Sequence, residues 1–245
     1  MAKNTDNTAA VAATPTAIIT AAHQSSNVVT KVLNWFKTNS KKVILYGGLI
    51  IAALVAYIAY KKLYVEPKEN KAIEDGAVAY YYFANDSLKL ALNGDGKNKG
   101  FASLAKNGGT KAANMANYFA AVCEVKLADS TGKTNFETAI KYLKNFDPMG
   151  ATQFACNKAL LLGDCYATLG KNAEAITSYE ECGGINDGTI SPRGFFRAAL
   201  LSEKNGDTKK AGAFYKEIYM RYPASDEAKN YAFKGAAKNG VILEK

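Results

Sequence analysis

The longest uninterrupted hydrophobic run in the chain covers residues 43–60 and contains eighteen residues without a charge. Its flanks are basic, with one pair of lysines at positions 41–42 and another at 61–62. Eighteen helical residues extend about 27 Å, close to the hydrocarbon thickness of a bilayer. Flanking lysines can bury their aliphatic stems while their ammonium groups stay among the headgroups. The pattern therefore predicts one transmembrane helix, against the alternatives of a buried core helix or a cleaved signal peptide.

The hydrophobic pattern changes twice ahead of this run. Residues 1–26 are rich in Ala, Thr and Asn and hold few large side chains. They predict a disordered tail, because such a segment can bury little apolar surface. Residues 27–42 place apolar side chains at helical spacing: Val28, Val29, Val32, Leu33 and Phe36. This predicts a short amphipathic juxtamembrane segment, which either lies in the membrane interface or extends the transmembrane helix.

The chain after Pro67 has a helical hydrophobic pattern that repeats in its second half. Three pairs of residues lie 36 positions apart: Ala139-Ile140, Ala175-Ile176 and Ala211-Gly212. A period of this length predicts stacked helical hairpins, each of which buries its apolar face against its neighbours. We therefore predict an all-α fold, in which a single N-terminal transmembrane helix is followed by an α-solenoid over residues 65–245.

The clearest repeating unit covers residues 156–189. Gly163 and Ala175 are small residues at which two antiparallel helices can approach closely, and Tyr179 fills the space beside them. Gly170 suits the turn between the two helices. In residue identity and spacing, this unit resembles the tetratricopeptide repeat, so we predict a tetratricopeptide-like solenoid.

Three repeats and a capping helix are predicted in this solenoid, near residues 114–148, 156–189, 192–225 and 225–239. The first repeat carries about six extra residues, Ser130–Asn135, in its turn. Ser225 follows Pro223 and is predicted to be the N-cap of the final helix. That helix is predicted to bury one stripe of side chains: Ala228, Tyr231, Ala232 and Ala236.

Positive charge is concentrated around the hydrophobic run. The chain holds 31 Lys and Arg against 22 Asp and Glu, a formal net charge of +9. Residues 1–64 hold seven lysines and one acid, so this segment is +6 and only +3 remains for residues 65–245. The basic balance therefore reflects the flanks of the membrane segment, and we predict no nucleic-acid binding. Four lysines lie near the run on each side, so charge alone does not orient it.

Catalytic and metal-binding patterns are missing from the sequence. Its single histidine, His23, lies in the N-terminal tail, which leaves no base for a hydrolase triad. The four cysteines show no CxxC pair and no metal-ligand spacing: Cys123, Cys156, Cys165 and Cys182. There is no phosphate-binding GxxxxGK[ST] loop. We predict that the protein is not an enzyme, has no cofactor or metal, and keeps its cysteines as buried thiols rather than disulfides.

Two contact surfaces are predicted. The resemblance to the tetratricopeptide repeat implies a protein-binding groove lined by the first helix of each hairpin. Its positions in this chain are Tyr118, Val122 and Lys126, then Asn157, Leu160, Asp164 and Thr168, and finally Arg193, Phe196, Leu200, Glu203 and Lys204. On the membrane helix, small residues on one face predict contact with another helix: Gly48, Ala52, Ala56 and Ala59.

The order of elements along the chain resembles the YfgM-like tetratricopeptide proteins of Gram-negative bacterial inner membranes. Besides the anchor, four segments carry this resemblance: LALNGDGxxxGF (Leu90–Phe101), GGTKAANxAxYF (Gly108–Phe119), GDCYATLG and RYPAS. It implies an ancillary subunit of the Sec translocon in the lipid bilayer, with Sec channel subunits, a PpiD-like membrane-anchored chaperone and polypeptide clients as partners. It also implies a single pass through the inner membrane, with the N-terminus cytoplasmic and the repeats periplasmic. An envelope scaffold in another secretion or division complex is the alternative.

Overall fold

The computed structural model describes residues 28–128 and 132–243 of the 245-residue chain. The regular elements in these two ranges are all helical, and no β-strand is present in them. The all-α class predicted from the sequence is therefore confirmed. The predicted disordered tail and positions 130–131 of the predicted insertion lie outside the described residues. The chain divides into two compact units, residues 1–64 and residues 65–245.

In the first unit, the described residues form helices α1 (28–38) and α2 (Ser40–Tyr60), and a π-helical turn (Lys61–Val65) follows α2. Backbone hydrogen bonds continue through Asn39, whose N–H donates to the carbonyl of Trp35 at 2.9 Å. The carbonyl of Asn39 accepts from the N–H of Val43 at 2.9 Å. The predicted amphipathic segment therefore runs into the hydrophobic helix without a loop.

Helix α2 contains no buried residue in the part of the chain that the structure describes. Apart from Val43, which is half-buried, its large apolar side chains are 55% to 74% exposed. The segment Ser40–Ala84 holds the one stretch among the described residues that is long and apolar enough to cross a membrane. Its length and composition make it a candidate membrane span.

The second unit is a succession of short helices. Its first part comprises α3 (Glu66–Ala84), α4 (Leu88–Asn93) and α5 (Phe101–Ala105). Three hairpins follow: α6 (Lys111–Leu127) with α7 (Lys133–Asn145), α8 (Thr152–Thr168) with α9 (Asn172–Gly184), and α10 (Ser191–Lys204) with α11 (Thr208–Arg221). A π-helical turn (Ala228–Ala232) then leads into α12 (Phe233–Lys238). Each hairpin packs on the next through shared apolar clusters, which is a solenoid-like arrangement.

The hairpin α8–α9 closes by direct contact between a glycine and an aromatic ring. A Cβ atom at Gly163 would lie 2.3 Å from the ring of Tyr179, so glycine permits an approach that a larger residue would prevent. Ala175 on α9 is fully buried. Gly170 has a φ of +74°, the left-handed conformation that ends α8 and turns the chain. The roles predicted for these residues are confirmed.

Helix α3 lies beside α6 and runs in the same direction. Near its start, Glu69 accepts hydrogen bonds from the backbone N–H groups of Lys111 (2.7 Å) and Ala112 (2.8 Å) in the first turn of α6. At the other end, Asp86 follows α3, and its carboxylate Oδ1 lies 3.8 Å from the Nζ atom of Lys126 in the last turn of α6. Helix α3 therefore takes the position of the first helix of a preceding repeat, which the sequence pattern did not predict.

An aromatic cluster fills the space between α3, α5 and α6. Phe101 is fully buried, and its ring centroid lies 4.9 Å from that of Tyr80 and 5.4 Å from that of Phe119. Phe83 meets Phe119 edge-on at 5.0 Å. Edge-to-face pairs add to the free energy of burying the rings, so this cluster is the core of the first part of the unit.

The C-terminal helical segment begins as predicted but buries a different set of residues. The hydroxyl of Ser225 accepts a hydrogen bond from the N–H of Ala228 at 3.1 Å, so Ser225 is the N-cap. Ala228, Ala232 and Ala236 are buried, whereas Tyr231 is 53% exposed. The prediction that Tyr231 belongs to the buried stripe is therefore wrong. The wider π-helical turn Ala228–Ala232 rotates Tyr231 away from the alanine stripe.

Candidate protein-binding groove

The structure brings together only part of the predicted groove. Three of its residues on α10, namely Phe196, Leu200 and Glu203, line one cleft of about 350 Å³. The remaining lining residues come from α11 and from the C-terminal helical segment: Tyr215, Asn230, Tyr231, Lys234, Gly235 and Lys238. We refer to this surface as the C-terminal cleft.

Close helix packing shapes the C-terminal cleft. A Cβ atom at Gly235 would lie 2.6 Å from the ring of Tyr215, so a glycine brings the C-terminal segment against α11. The ring centroids of Phe196 and Tyr231 are 5.0 Å apart. They form an aromatic base contributed by two different helices. The Tyr215 ring is buried beneath them, and this burial raises the pKa of its hydroxyl.

The carboxylate of Glu203 lies at the edge of the C-terminal cleft. Glu203 accepts hydrogen bonds from the Lys238 ammonium group at 3.1 Å and from the Asn239 side-chain amide at 2.5 Å. Its side chain is 19% exposed, against 71% for Lys238. The acid is therefore largely covered by its partners, while the lysine faces solvent.

The other two predicted residues of α10 lie outside this cleft. The guanidinium Nε of Arg193 is 3.8 Å from a carboxylate oxygen of Glu227. Arg193 borders a separate depression that also contains Ser225 and Asp226. Lys204 is exposed at the last position of α10.

Asp164, predicted in the groove, is engaged by two other helices. Its carboxylate accepts hydrogen bonds from the hydroxyl of Tyr179 on α9 at 2.7 Å and from the guanidinium of Arg197 on α10. Burial and the hydrogen bond to Asp164 raise the pKa of Tyr179. Asp164 therefore joins two consecutive hairpins.

The remaining predicted residues of α8 differ in exposure. Leu160 is half-buried and packs against two apolar clusters, one of them shared with α10 and α11. Asn157 is also half-buried. Thr168 is exposed, and its hydroxyl donates to the backbone carbonyl of Asp164 at 2.8 Å.

The predicted groove residues of α6 also differ from one another. The Tyr118 ring packs against the rings of Phe146 and Phe154, at centroid distances of 5.2 Å and 5.4 Å. Burial raises the pKa of its hydroxyl. Val122 is half-buried, and the exposed Lys126 places its ammonium group 5.8 Å from the ring centre of Phe83. Tyr118 therefore contributes to packing between helices, while Lys126 reaches toward α3.

The predicted contact face of the membrane helix is exposed. Its four residues lie on α2: Gly48, Ala52, Ala56 and Ala59. A Cβ atom added at Gly48 would meet no atom of the described chain within 4 Å. This face therefore has room for another helix.

Sequence reasoning missed the half of the cleft that the C-terminal segment provides. The repeat pattern places the groove on the first helices of the repeats and predicts the final helix only as a cap. A signal was present, because Tyr231, Lys234 and Lys238 recur at intervals of three and four residues and so share one helix face. The partnership of this face with Phe196 on α10 depends on how the two helices pack.

All four cysteines are buried and free, as predicted. Burial raises the pKa of the Cys123 and Cys165 thiols to about 12. These thiols stay protonated at neutral pH and are poor nucleophiles. In the described ranges, no group of three or more His, Cys, Asp or Glu side chains is arranged to hold a metal ion.

Comparison with known proteins supports the repeat. Residues 159–187 match the tetratricopeptide repeat family. The matched segment contains most of α8, all of α9 and the turn between them. No curated protein matches the chain. The matched repeat within an all-helical, solenoid-like unit fits a tetratricopeptide-repeat protein, and repeats of this kind mediate protein–protein interactions.

Proposed function

We propose that this protein is a membrane-anchored protein–protein interaction module. The observation that carries the proposal is the tetratricopeptide repeat over residues 159–187, accompanied by the concave C-terminal cleft. Solenoids of helical repeats bind other proteins through such concave surfaces. The proposal assigns no catalytic role to any residue.

Helix α2 supports the membrane part of the proposal. From Ile44 to Tyr60 its large apolar side chains are more than half exposed, and leaving such a surface in water is unfavourable by about 25 cal/mol per Å² of apolar area. A lipid bilayer would cover these side chains, and the lysines at positions 41–42 and 61–62 would lie among the headgroups. The face of Gly48 and Ala52 would remain available to a partner helix.

The finer proposal follows the resemblance in sequence. We place α2 in the inner membrane, the N-terminus in the cytoplasm and the repeats in the periplasm. There the protein acts as an ancillary subunit of the Sec translocon: α2 contacts the channel, and the repeats recruit a membrane-anchored chaperone or contact emerging polypeptides. The order of segments from Leu90 to Phe119 ahead of the repeats supports this assignment.

Topology can be tested with a cysteine at the exposed loop position Lys97. Because all four native cysteines are buried, Lys97→Cys supplies the accessible thiol. We expect it to react with a membrane-impermeant maleimide in intact spheroplasts. The unmodified protein serves as the background control. Labelling that requires lysis would place the repeats in the cytoplasm and contradict the proposal.

The partner assignment is tested by purification in mild detergent. We expect Sec channel subunits to copurify with the protein, and Gly48→Leu with Ala52→Leu to weaken this association without preventing membrane insertion. Recovery of another secretion or division complex in place of the channel would favour an envelope scaffold. Recovery of no partner under crosslinking would refute the interaction module itself.

A further inference from the structure

The C-terminal cleft combines an exposed apolar base with a basic margin. Phe196 and Tyr231 pack together at its base, and Leu200 beside them is 45% exposed. Lys234 and Lys238 lie on the adjoining face of the C-terminal segment, and both are exposed. Aromatic and aliphatic surface of this kind suits a bulky apolar side chain of a ligand, while the two ammonium groups suit carboxylates next to it.

The part of the chain around the C-terminal cleft is positively charged, like the two lysines at its margin. Residues 189–243 contain ten Lys and Arg against five Asp and Glu, a balance of +5. Residues 65–188 contain thirteen Lys and Arg against fifteen Asp and Glu, a net charge of −2. The basic character of the second unit therefore belongs to its last hairpin and C-terminal segment, which form the cleft. The residues that line the cleft hold two lysines, Lys234 and Lys238, against one acid, Glu203, so the charge of the lining is also positive. Positive charge at a binding surface favours association with a negatively charged partner.

The acid in the cleft does not reverse this balance. Glu203 is largely covered by its hydrogen bonds with Lys238 and Asn239. It holds the Lys238 ammonium group at the cleft margin, where the lysine remains 71% exposed. A carboxylate of a partner can therefore reach Lys238 while the bond to Glu203 persists, since an ammonium group has three N–H donors.

We infer that the C-terminal cleft binds an acidic peptide segment that carries a bulky apolar side chain. The apolar side chain packs on Phe196, Leu200 and Tyr231, and the flanking carboxylates pair with Lys234 and Lys238. This inference rests on the proposed function as an interaction module and names the chemistry of its partner. A peptide is favoured over an anionic membrane surface because the apolar base and the two lysines lie together in one cleft of about 350 Å³, which an apolar side chain and its neighbouring carboxylates can fill.

The test uses the full chain in non-ionic detergent and the fluorescein-labelled peptide EDEDLFEDE as the probe. Binding is measured by fluorescence anisotropy at several salt concentrations. We expect saturable binding that weakens as salt increases. The peptide EDEDSSEDE, which lacks the apolar side chains, should bind at least tenfold more weakly. Equal affinity for the two peptides would overturn the inference, because it would show attraction to net charge alone.

Variants of the protein locate the site. Lys234→Glu and Lys238→Gln, each made alone, should weaken binding of EDEDLFEDE about tenfold, and Leu200→Ser should do the same through the apolar contact. Lys216→Glu is the matched control, because Lys216 is an exposed lysine of α11 outside the cleft, and it should change the affinity less than twofold. Circular dichroism confirms that each variant is folded. Equal losses in Lys234→Glu and Lys216→Glu would contradict a defined site.

A lipid competitor separates peptide binding from headgroup binding. Short-chain phosphatidylglycerol should leave the peptide bound to the same extent as zwitterionic short-chain phosphatidylcholine. Displacement by the anionic lipid that depends on Lys234 would reassign the cleft to a lipid headgroup. If EDEDLFEDE fails to bind while the purification experiment still recovers a protein partner, this inference falls and the proposed function stands.

Discussion

Two junctions of the second unit, the α8–α9 hairpin and the α3–α6 contact, are built by different physical means. In the first, the helices meet because Gly163 lets α8 approach the Tyr179 ring. In the second, the carboxylate of Glu69 on α3 accepts hydrogen bonds from the first turn of α6, and aromatic rings fill the space between the two helices. Close packing selects residue size at a fixed spacing and therefore leaves a periodic pattern. A side-chain cap and a cluster of aromatic rings can form between residues at irregular spacing, so they leave no periodic pattern in the sequence.

The largest expected effect is at the closely packed junction. Gly163→Ala should lower the free energy of unfolding by about 3 kcal/mol, because the added Cβ would lie 2.3 Å from the Tyr179 ring. The measurement is urea unfolding followed by circular dichroism. Gly184→Ala is the matched control, since a Cβ at this helical glycine meets no atom within 4 Å. It should be neutral or stabilising by about 0.5 kcal/mol. Similar losses in both variants would show that α8 and α9 do not approach as described.

A smaller effect should appear at alkaline pH, because each region contributes one helix with a buried thiol. Cys123 of α6 packs in the cluster of α3–α6, and Cys165 of α8 packs in a cluster with side chains of α6 and α7. Burial raises the pKa of each thiol from an ordinary value of 9.0 to about 12. Unfolding therefore permits ionisation that folding suppresses. The stability that this difference provides is complete below pH 9 and is lost as pH rises toward 12.

At pH 10 the expected loss is about 1 kcal/mol per thiol relative to pH 8, and so about 2 kcal/mol for the two thiols together. Unfolding curves at the two pH values measure it. Cys123→Ala and Cys165→Ala should each remove its own share of the pH dependence, and the double variant should remove both. Comparison with these variants corrects for other groups that titrate in this range. An unchanged pH dependence in the double variant would mean that the thiols are not protected by burial.

The smallest expected effect concerns the cap between α3 and α6. Glu69→Gln removes a charged acceptor from the N-terminus of α6 and should cost about 1 kcal/mol. The exposed Glu74 on the same helix provides the control, and Glu74→Gln should change stability by less than about 0.5 kcal/mol. A larger loss at Glu69 than at Gly163 would invert the comparison, because polar capping would then dominate over close packing.

In the C-terminal cleft too, the repeat pattern predicted some contacts correctly, while helix packing decided others. Repeat spacing identified Phe196, Leu200 and Glu203 as groove residues, and the structure does place these three in one cleft. Two other predicted groove residues lie outside this cleft. Asp164 accepts hydrogen bonds from Tyr179 and Arg197. Tyr118 packs against the rings of Phe146 and Phe154. A repeat position states which way a side chain points from its own helix. It does not state which neighbouring helix reaches that side chain first.

The sequence by itself determined the helical class, the tetratricopeptide repeat and the buried small residues. Ala139, Ala175 and Ala211 recur every 36 residues and are all fully buried. They were predictable because a helix records its own buried face in the spacing of its residues. Only the tertiary structure decided that α3 precedes α6 as a further first helix, and that Tyr231 turns outward to meet Phe196. The reason is physical: a contact between helices depends on their packing and on a local π-helical turn, and neither is encoded in the period of one helix.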